Sequence, residues 1–434
     1  MLKTYYHTIL RLGFPLTYAG VFSYAAGMVE VILLGRLSLA LLGVLALSTM
    51  FISLIMSGMM SLVTANQSAF ARLISRKRDR SMLSEFFFCS ILTSAVIAVS
   101  VFLCFRMVLF FIAFHYPASD TGNMSLILDY LNIASFSMLL VPVLFSIKGT
   151  LNGRGLTHLS FRISAMENVI RIALLTIFLG LLRDCVIADN SLIRLPAYAL
   201  LGGEIIGVLY ALVIIWFHDV SLLKLKVKFS TFILYWRKVR SIIGVSAVYN
   251  MVGACSLLYF MSKIGDLSMV YLGIFRIILT AFNFNRLIFS GITQANGIYS
   301  AQIISHKVEK SAQTIRENTY HTLLFSSLFS IIIAGISIAI LLKTQTLDFS
   351  FVIVLAFIFE GMSLVLYHVL VHCRFEKAIS MIGALLHILC LMILPTVWAW
   401  TTMQLGIIFL LFEIIILLFY ITKYRQFISN VSSA

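Results

Sequence analysis

The stretch ANQSAFARLISRK, residues 65–77, returns 230 residues later as ANGIYSAQIISHK, residues 295–307. Six of the thirteen positions repeat without a gap: Ala, Asn, Ala, Ile, Ser and Lys. The same offset brings Gly35 onto Gly265. A repeat at this distance predicts a duplicated architecture, provided that both copies stand at equivalent places in the chain.

Composition says what those places are. Of the 434 residues 61% are hydrophobic and only 11% are charged, with a mean hydropathy of +1.03. A soluble chain of that length would need far more polar surface than this. The apolar runs match the length of a helical bilayer crossing, and they are too many to be one signal peptide, so the first run is expected to stay in the mature protein. Between clusters of charge the runs predict spans at 9–35, 44–71, 84–113, 126–147, 160–181, 196–217, 241–262, 268–304, 318–342, 349–371, 379–398 and 401–421. The fold expected is an all-α polytopic membrane protein with twelve transmembrane helices in two parallel six-helix bundles. The two copies of the repeat then end spans two and eight. Six crossings separate them, and an even number preserves direction across the bilayer. Residues 1–217 and 241–434 are the expected lobes, joined by a basic cytoplasmic linker at 218–240.

Charge supports an even count. With the N-terminus cytoplasmic, 23 Lys and Arg fall on the inner side and five on the outer side: Arg36, Arg183, Arg194, Lys263 and Lys343. Arg106, Arg171, Arg276 and Arg286 fall inside spans. This bias follows the positive-inside rule and places both termini in the cytoplasm. The formal charge of +15 is then an anchor on an anionic lipid surface and gives no reason to expect nucleic acid as a partner. The six cysteines form no close pair and read as helix-packing residues. No nucleophile, phosphate loop or metal cage suggests an enzyme. His368, His372 and Glu376 share a helix face at four-residue spacing but lack the HExxH pattern of a hydrolytic zinc site.

The chain resembles the multidrug and toxic compound extrusion (MATE) family through GMVEVILLG at 27–35, GTLNGRGLTHLSF at 149–161 after span four, and the 230-residue repetition. That family belongs to a superfamily that also contains lipid-linked saccharide flippases. The resemblance implies a monomeric secondary active transporter in the bacterial inner membrane. It would export small organic compounds, often cationic, against entry of H+ or Na+ as coupling ion, with no other cofactor. The alternative is a flippase for a lipid-linked saccharide. The family places an aspartate in its first helix, and Glu30 occupies that position here. Asn168 matches a family asparagine in helix five, but Ile172 stands where an aspartate often follows, with Arg171 beside it. In the second lobe Ala254 and Glu360 stand near two family carboxylates, so one of that pair remains.

A carboxylate at membrane depth costs several kcal/mol, about 2.5–3.5 for Asp at a helix centre, unless it is paired, protonated or wet. Glu30, Glu360 and Glu204 are therefore the expected ion-coupling residues. Gln67, Asn168, Arg171, Tyr249, Asn250, Asn283, Arg286 and Gln294, with Glu30, are the expected substrate contacts within a seam between the lobes. Pro15 lacks a backbone donor and is expected to bend the first helix.

Overall fold

The structure, a computed structural model, describes residues 9–37, 39–75, 80–115, 122–181, 189–218, 229–267, 291–304, 311–341, 347–373, 376–398 and 401–432. These residues are helical almost throughout. In chain order the helices are α1 (Arg11–Leu37), α2 (Leu39–Ser75), α3 (Arg80–His115), α4 (Gly122–Ala134), α5 (Ser137–Gly153), α6 (Thr157–Leu181), α7 (Asp189–His218) and α8 (Phe229–Leu267). After them come α9 (residues 291–304), α10 (Ser311–Leu341), α11 (Leu347–His372), α12 (Glu376–His387), α13 (Leu394–Trp398) and α14 (Thr402–Ser432). A π-helical segment, Ile388–Ile393, joins α12 to α13.

Among the described residues five helices are long and apolar enough to cross a membrane: Met82–Phe114, Leu192–His218, Phe351–His372, Ile379–Val397 and Met403–Ser432. Six are reached if the bent pair Ser125–Ala134 and Ser137–Gly153 counts as one. The all-α polytopic class stands, and the expected twelve helices in two six-helix bundles are corrected to this number. Counting apolar runs weighs average hydropathy and overlooks what interrupts a run. The expected span at 126–147 is two helices meeting at 43°. The expected span at 160–181 is α6, which carries Arg162, Glu167 and Arg171 within ten residues. The expected span at 268–304 lies outside the described residues as far as 290.

The chain forms two compact units. One comprises Met1–Tyr18, Gln67–Lys77 and Val239–Ala434, the other Ala19–Asn66 and Arg78–Lys238. In the second of these, the turn from α5 to α6 explains the GTLNGRG stretch. Leu156 N donates to Leu151 O at 2.9 Å and Gly155 N to Asn152 O at 2.9 Å. This is the paired bonding of a glycine-ended helix, and Gly155 sits at φ 79, where a side chain would be strained. The turn returns α6 along α5. Gly149, one turn before it, faces α2 so closely that a Cβ there would lie 2.7 Å from Val63 O. Farther along α5 and α4, Tyr130, Leu131, Met138 and Val141 build the unit's core with Phe105 of α3.

Residues 229–238, inside the stretch expected to link two lobes, are the first turns of α8 and pack in this same unit. Tyr235 is fully buried; its ring meets Phe86 edge to face, and its hydroxyl donates to Asn66 Oδ1 at 2.8 Å. Asn66 Nδ2 donates in turn to Ser146 Oγ at 2.8 Å. Burial pushes the Tyr235 phenol well above its usual range, so it remains a neutral donor. Lys238 lies over the Phe86 ring, and Thr231 donates to the Glu85 carboxylate. Tyr235→Phe leaves the buried Asn66 carbonyl without its donor and is expected to cost about 1–3 kcal/mol. A thermal melt in detergent checks it, with a midpoint equal to wild type as the contrary result.

In the other unit α11 packs on α14 and α10 around Phe260, Phe357, Phe409, Phe412 and Tyr420. The start of α1 and the residues just before it belong here as well, and Ile9 joins Ile292 and Ala295 of α9.

Candidate functional site

Charge gathers inside the unit built from α2 to α7. Lys148 of α5 and Glu167 of α6 form an ion pair, with Nζ to Oε2 at 2.6 Å. The pair is largely withdrawn from solvent, at 12% and 20% side-chain exposure, so it is not a surface bridge of little value. Glu204 of α7 is deeper, at 2% exposure. Among the described residues its Oε2 makes no hydrogen bond, while Ser137, Glu167, Arg171 and Lys148 are the groups whose dipole or charge acts on it.

Small residues bring these charges together. A Cβ on Gly203 would lie 2.7 Å from Glu167 O and 3.1 Å from Arg171 Cβ, and one on Gly207 would lie 3.3 Å from Glu167 Cβ. The LGGEIIG run of α7 thus lets two backbones approach, and that approach buries Glu204 against the charged face of α6. Asn168, next to Glu167, donates from Nδ2 to Ser23 Oγ of α1 at 3.1 Å and to Ser164 O at 2.8 Å. The arrangement can hold and release one proton on Glu204. It is poorly suited to a bare metal cation, because two of its four charged groups are already positive.

A second polar cluster occupies the other unit, at the end of α2. The Gln67 side chain, almost fully buried, lies 3.4 Å from Gln294 Oε1 of α9 and 3.4 Å from His372 Nε2 of α11. His372 Nδ1 donates to His368 O at 2.7 Å, since a carbonyl only accepts. Ser68 Oγ donates to His372 O at 3.3 Å, and Arg72 donates to the same carbonyl. Gly297 permits this, because a Cβ there would lie 2.7 Å from His368 O and 2.8 Å from His372 Nδ1. Deeper in the unit, Tyr249 stacks on Tyr367 at 5.5 Å and meets His387 edge-on at 5.3 Å. Its hydroxyl is 3.1 Å from that of Tyr420. The π-helical segment begins directly after His387, a local irregularity of the kind found often at functional sites.

Of the residues expected to form the site, Glu204, Arg171 and Asn168 come together in one unit, and Gln67 meets Gln294 in the other. Tyr249 and Asn250 lie half-buried on α8, and Glu360 half-buried on α11. α1 runs without interruption through Pro15 and past position 30, but the side chain of Glu30 lies outside the described residues, as do Asn283 and Arg286 entirely. Sequence reasoning missed the Lys148–Glu167 pair, because Lys148 is one of the 23 basic residues assigned to the inner side by the charge bias. The readable signal was a lysine within the apolar helix of 137–153, but its partner stands 19 residues away on another helix.

Residues 15–177 match the MatE family model. No curated protein matches the chain in sequence. In structure it is similar to an outward-facing multidrug resistance MATE family transporter of the MOP superfamily, with a TM-score of 0.80 at 12% identity, covering 98% of this chain and 96% of that one. It is also similar to a MATE P26A mutant, with a TM-score of 0.81 at 12% identity over 98% and 97% of the two chains. A MOP superfamily transporter from Pyrococcus furiosus Vc1, described as having a binding pocket of reversed polarity that suggests a different function, gives a TM-score of 0.74 at 13% identity over 98% and 96%. At such identities these likenesses speak for the fold. The protein is a multi-pass helical membrane protein with the architecture of this transporter group. Over residues 15–177 the sequence is similar to the MatE family, and the whole chain shares the fold of the solved MATE transporters.

Proposed function

We propose that the chain is a secondary active exporter of small organic compounds, working by alternating access as a monomer in a bacterial inner membrane with both termini cytoplasmic. Proton entry drives it, and Glu204 carries the proton. The observation that supports this reading most is Glu204 itself: a carboxyl at 2% exposure with one oxygen that lacks any hydrogen bond among the described residues, inside a helix apolar enough to cross a membrane. An ionised carboxylate in that place must be neutralised by its neighbours, and a protonated one need not be. The side chain therefore has two states that require different packing, which is what a coupling group supplies. Export follows if substrate binds better to one of the two states, because the two bindings are then reciprocal. Glu30 and Glu360 are further carriers in this scheme, and Asn168, Tyr249 and Asn250 orient cargo.

The test uses proteoliposomes and a panel of fluorescent organic cations and neutral dyes, with a pH gradient or a sodium gradient imposed separately. Wild type is expected to move dye under the pH gradient. Glu204→Gln, checked for folding by its elution and melt, is expected to lose that transport. Undiminished pH-driven transport by Glu204→Gln, or transport driven by sodium alone, defeats the proposal.

A further inference from the structure

We propose that Arg106 and Asn132 form a binding site for the phosphate of an anionic phospholipid, on the lipid-facing side of α3. The site does not depend on how transport is driven. Arg106 ends a run of twenty uncharged residues, FFFCSILTSAVIAVSVFLCF at 86–105, that begins directly after Glu85. Such a run rises about 30 Å at 1.5 Å per residue, one thickness of the hydrocarbon core. At its Glu85 end Thr231 donates to the carboxylate and Lys238 lies over the Phe86 ring. Arg106 therefore stands at the opposite headgroup level, where lipid phosphates lie.

Leu92, Val96, Val99, Leu103 and Phe110 are exposed and recur at steps of three or four residues wherever α3 turns the same face outward. Arg106, exposed as well, falls on this stripe between Leu103 and Phe110. Of the five apolar helices named above, this one is the least covered by the rest of the protein. The guanidinium thus stands among lipids. Among the described residues it makes one hydrogen bond, from Nη1 to Asn132 Oδ1 of α4 at 2.8 Å, and no ion pair. The carboxylate one turn before Asn132, Asp129, is taken by Arg194 of α7 at 2.9 Å.

Asn132 orients Arg106 without neutralising it. Two arginines and one aspartate leave this patch with one positive charge, and a phosphodiester brings one negative charge. A guanidinium at membrane depth needs a partner for its charge, and its planar fork matches two phosphate oxygens. The Asn132 amide nitrogen adds a further donor. One turn nearer the membrane centre, the rings of Phe102 and Phe136 pack at 5.4 Å, and Leu103 and Val99 continue the apolar stripe that an acyl chain would follow. An anionic lipid is preferred to a zwitterionic one, because a choline ammonium would bring a second positive charge to a patch that is already positive.

The measurement is quenching of tryptophan fluorescence by brominated lipids in vesicles that hold the full-length protein. The four native tryptophans are replaced by phenylalanine. Leu103→Trp then reports beside Arg106, and Leu92→Trp, in a second protein, reports from the same stripe nearer the Glu85 end. Mixtures of phosphatidylglycerol and phosphatidylcholine, each brominated in turn, give the relative affinity at each reporter. Phosphatidylglycerol is expected to be favoured about fivefold at Leu103→Trp. Arg106→Gln is expected to abolish that preference, and Arg106→Lys to keep part of it, since an ammonium retains the charge but not the fork. At Leu92→Trp the ratio is expected to be the same with and without Arg106. Asn132→Ala, which removes the orienting amide, is expected to lower the preference and serves as the test if Arg106→Gln does not reconstitute. Equal affinity for the two lipids at Leu103→Trp, or a preference that survives removal of Arg106 or of Asn132, overturns the site. So does a preference erased by inorganic phosphate in the buffer, which would assign the arginine to a free anion.

Discussion

Alanine at Gly291 is expected to destabilise the protein more than alanine at Gly13, Gly27 or Gly297. The added Cβ would fall against the Thr17 backbone nitrogen and lie 2.6 Å from Gly13 O, so both obstacles on α1 include main chain. A main chain held by its own helix cannot turn aside as a long side chain can. Gly13 makes the reciprocal approach, with an added Cβ 3.0 Å from the Ile292 Cα. Overpacking of this kind costs about 1–3 kcal/mol where neighbours can adjust, and the upper end applies where they cannot. Gly297→Ala is expected to behave alike, through the His368 carbonyl and the His372 ring. Gly27→Ala is the control, since no atom of the described residues lies within 4 Å of its added Cβ. Melting midpoints of the three variants in one detergent give the answer. Equal midpoints for Gly291→Ala and Gly27→Ala would mean that the α1–α9 crossing is not tight.

The second large effect is expected at the ion pair. Lys148→Met leaves Glu167 with an uncompensated charge at 20% exposure, and breaking a buried pair from one side costs about 3–5 kcal/mol. The residual exposure of both partners places the expected loss at the lower end. The double variant Lys148→Met, Glu167→Met removes the stranded charge together with its partner and is expected to recover most of the stability. Chemical or thermal unfolding of the two variants under one condition gives the coupling between the sites. A double variant no more stable than Lys148→Met would show that the lysine serves mainly as a packed stem and not as a charge partner.

These predictions separate what could be read early from what could not. GTLNGRGLTHLSF was legible as an element of its own, because a glycine at a helix end needs only local chain geometry. Glu204 was legible as a carboxylate out of place, since one charge in LLGGEIIGV stands out against its apolar neighbours. Its surroundings were not legible. Lys148, Glu167 and Glu204 stand on three helices, and no spacing along the chain encodes which helices share a face. The linker at 218–240 was drawn from its charge, yet Tyr235, fully buried within it, belongs to a packed helix. A tyrosine between basic residues gives no hint that its hydroxyl will reach an asparagine 169 residues earlier.

The repeat at 65–77 and 295–307 shows both sides of this division. By itself the sequence determined the class of the protein, all-helical and membrane-embedded, because the cost of exposing backbone and charge to lipid depends on composition and run length alone. It also showed that two stretches, each near a helix end, share six of thirteen residues. Tertiary structure decided what became of them. Asn66 joins Ser146 and Tyr235, while its counterpart Asn296 donates to Thr319 Oγ1 at 3.4 Å. Gln67 fills a polar chain between α9 and α11, while its counterpart Gly297 is the gap that lets α9 close on His368 and His372. The physical reason is that an amide side chain and an absent side chain are equivalent only in alignment. Which of them makes a bond and which makes room depends on the helix standing opposite, and that helix lies far away in the chain.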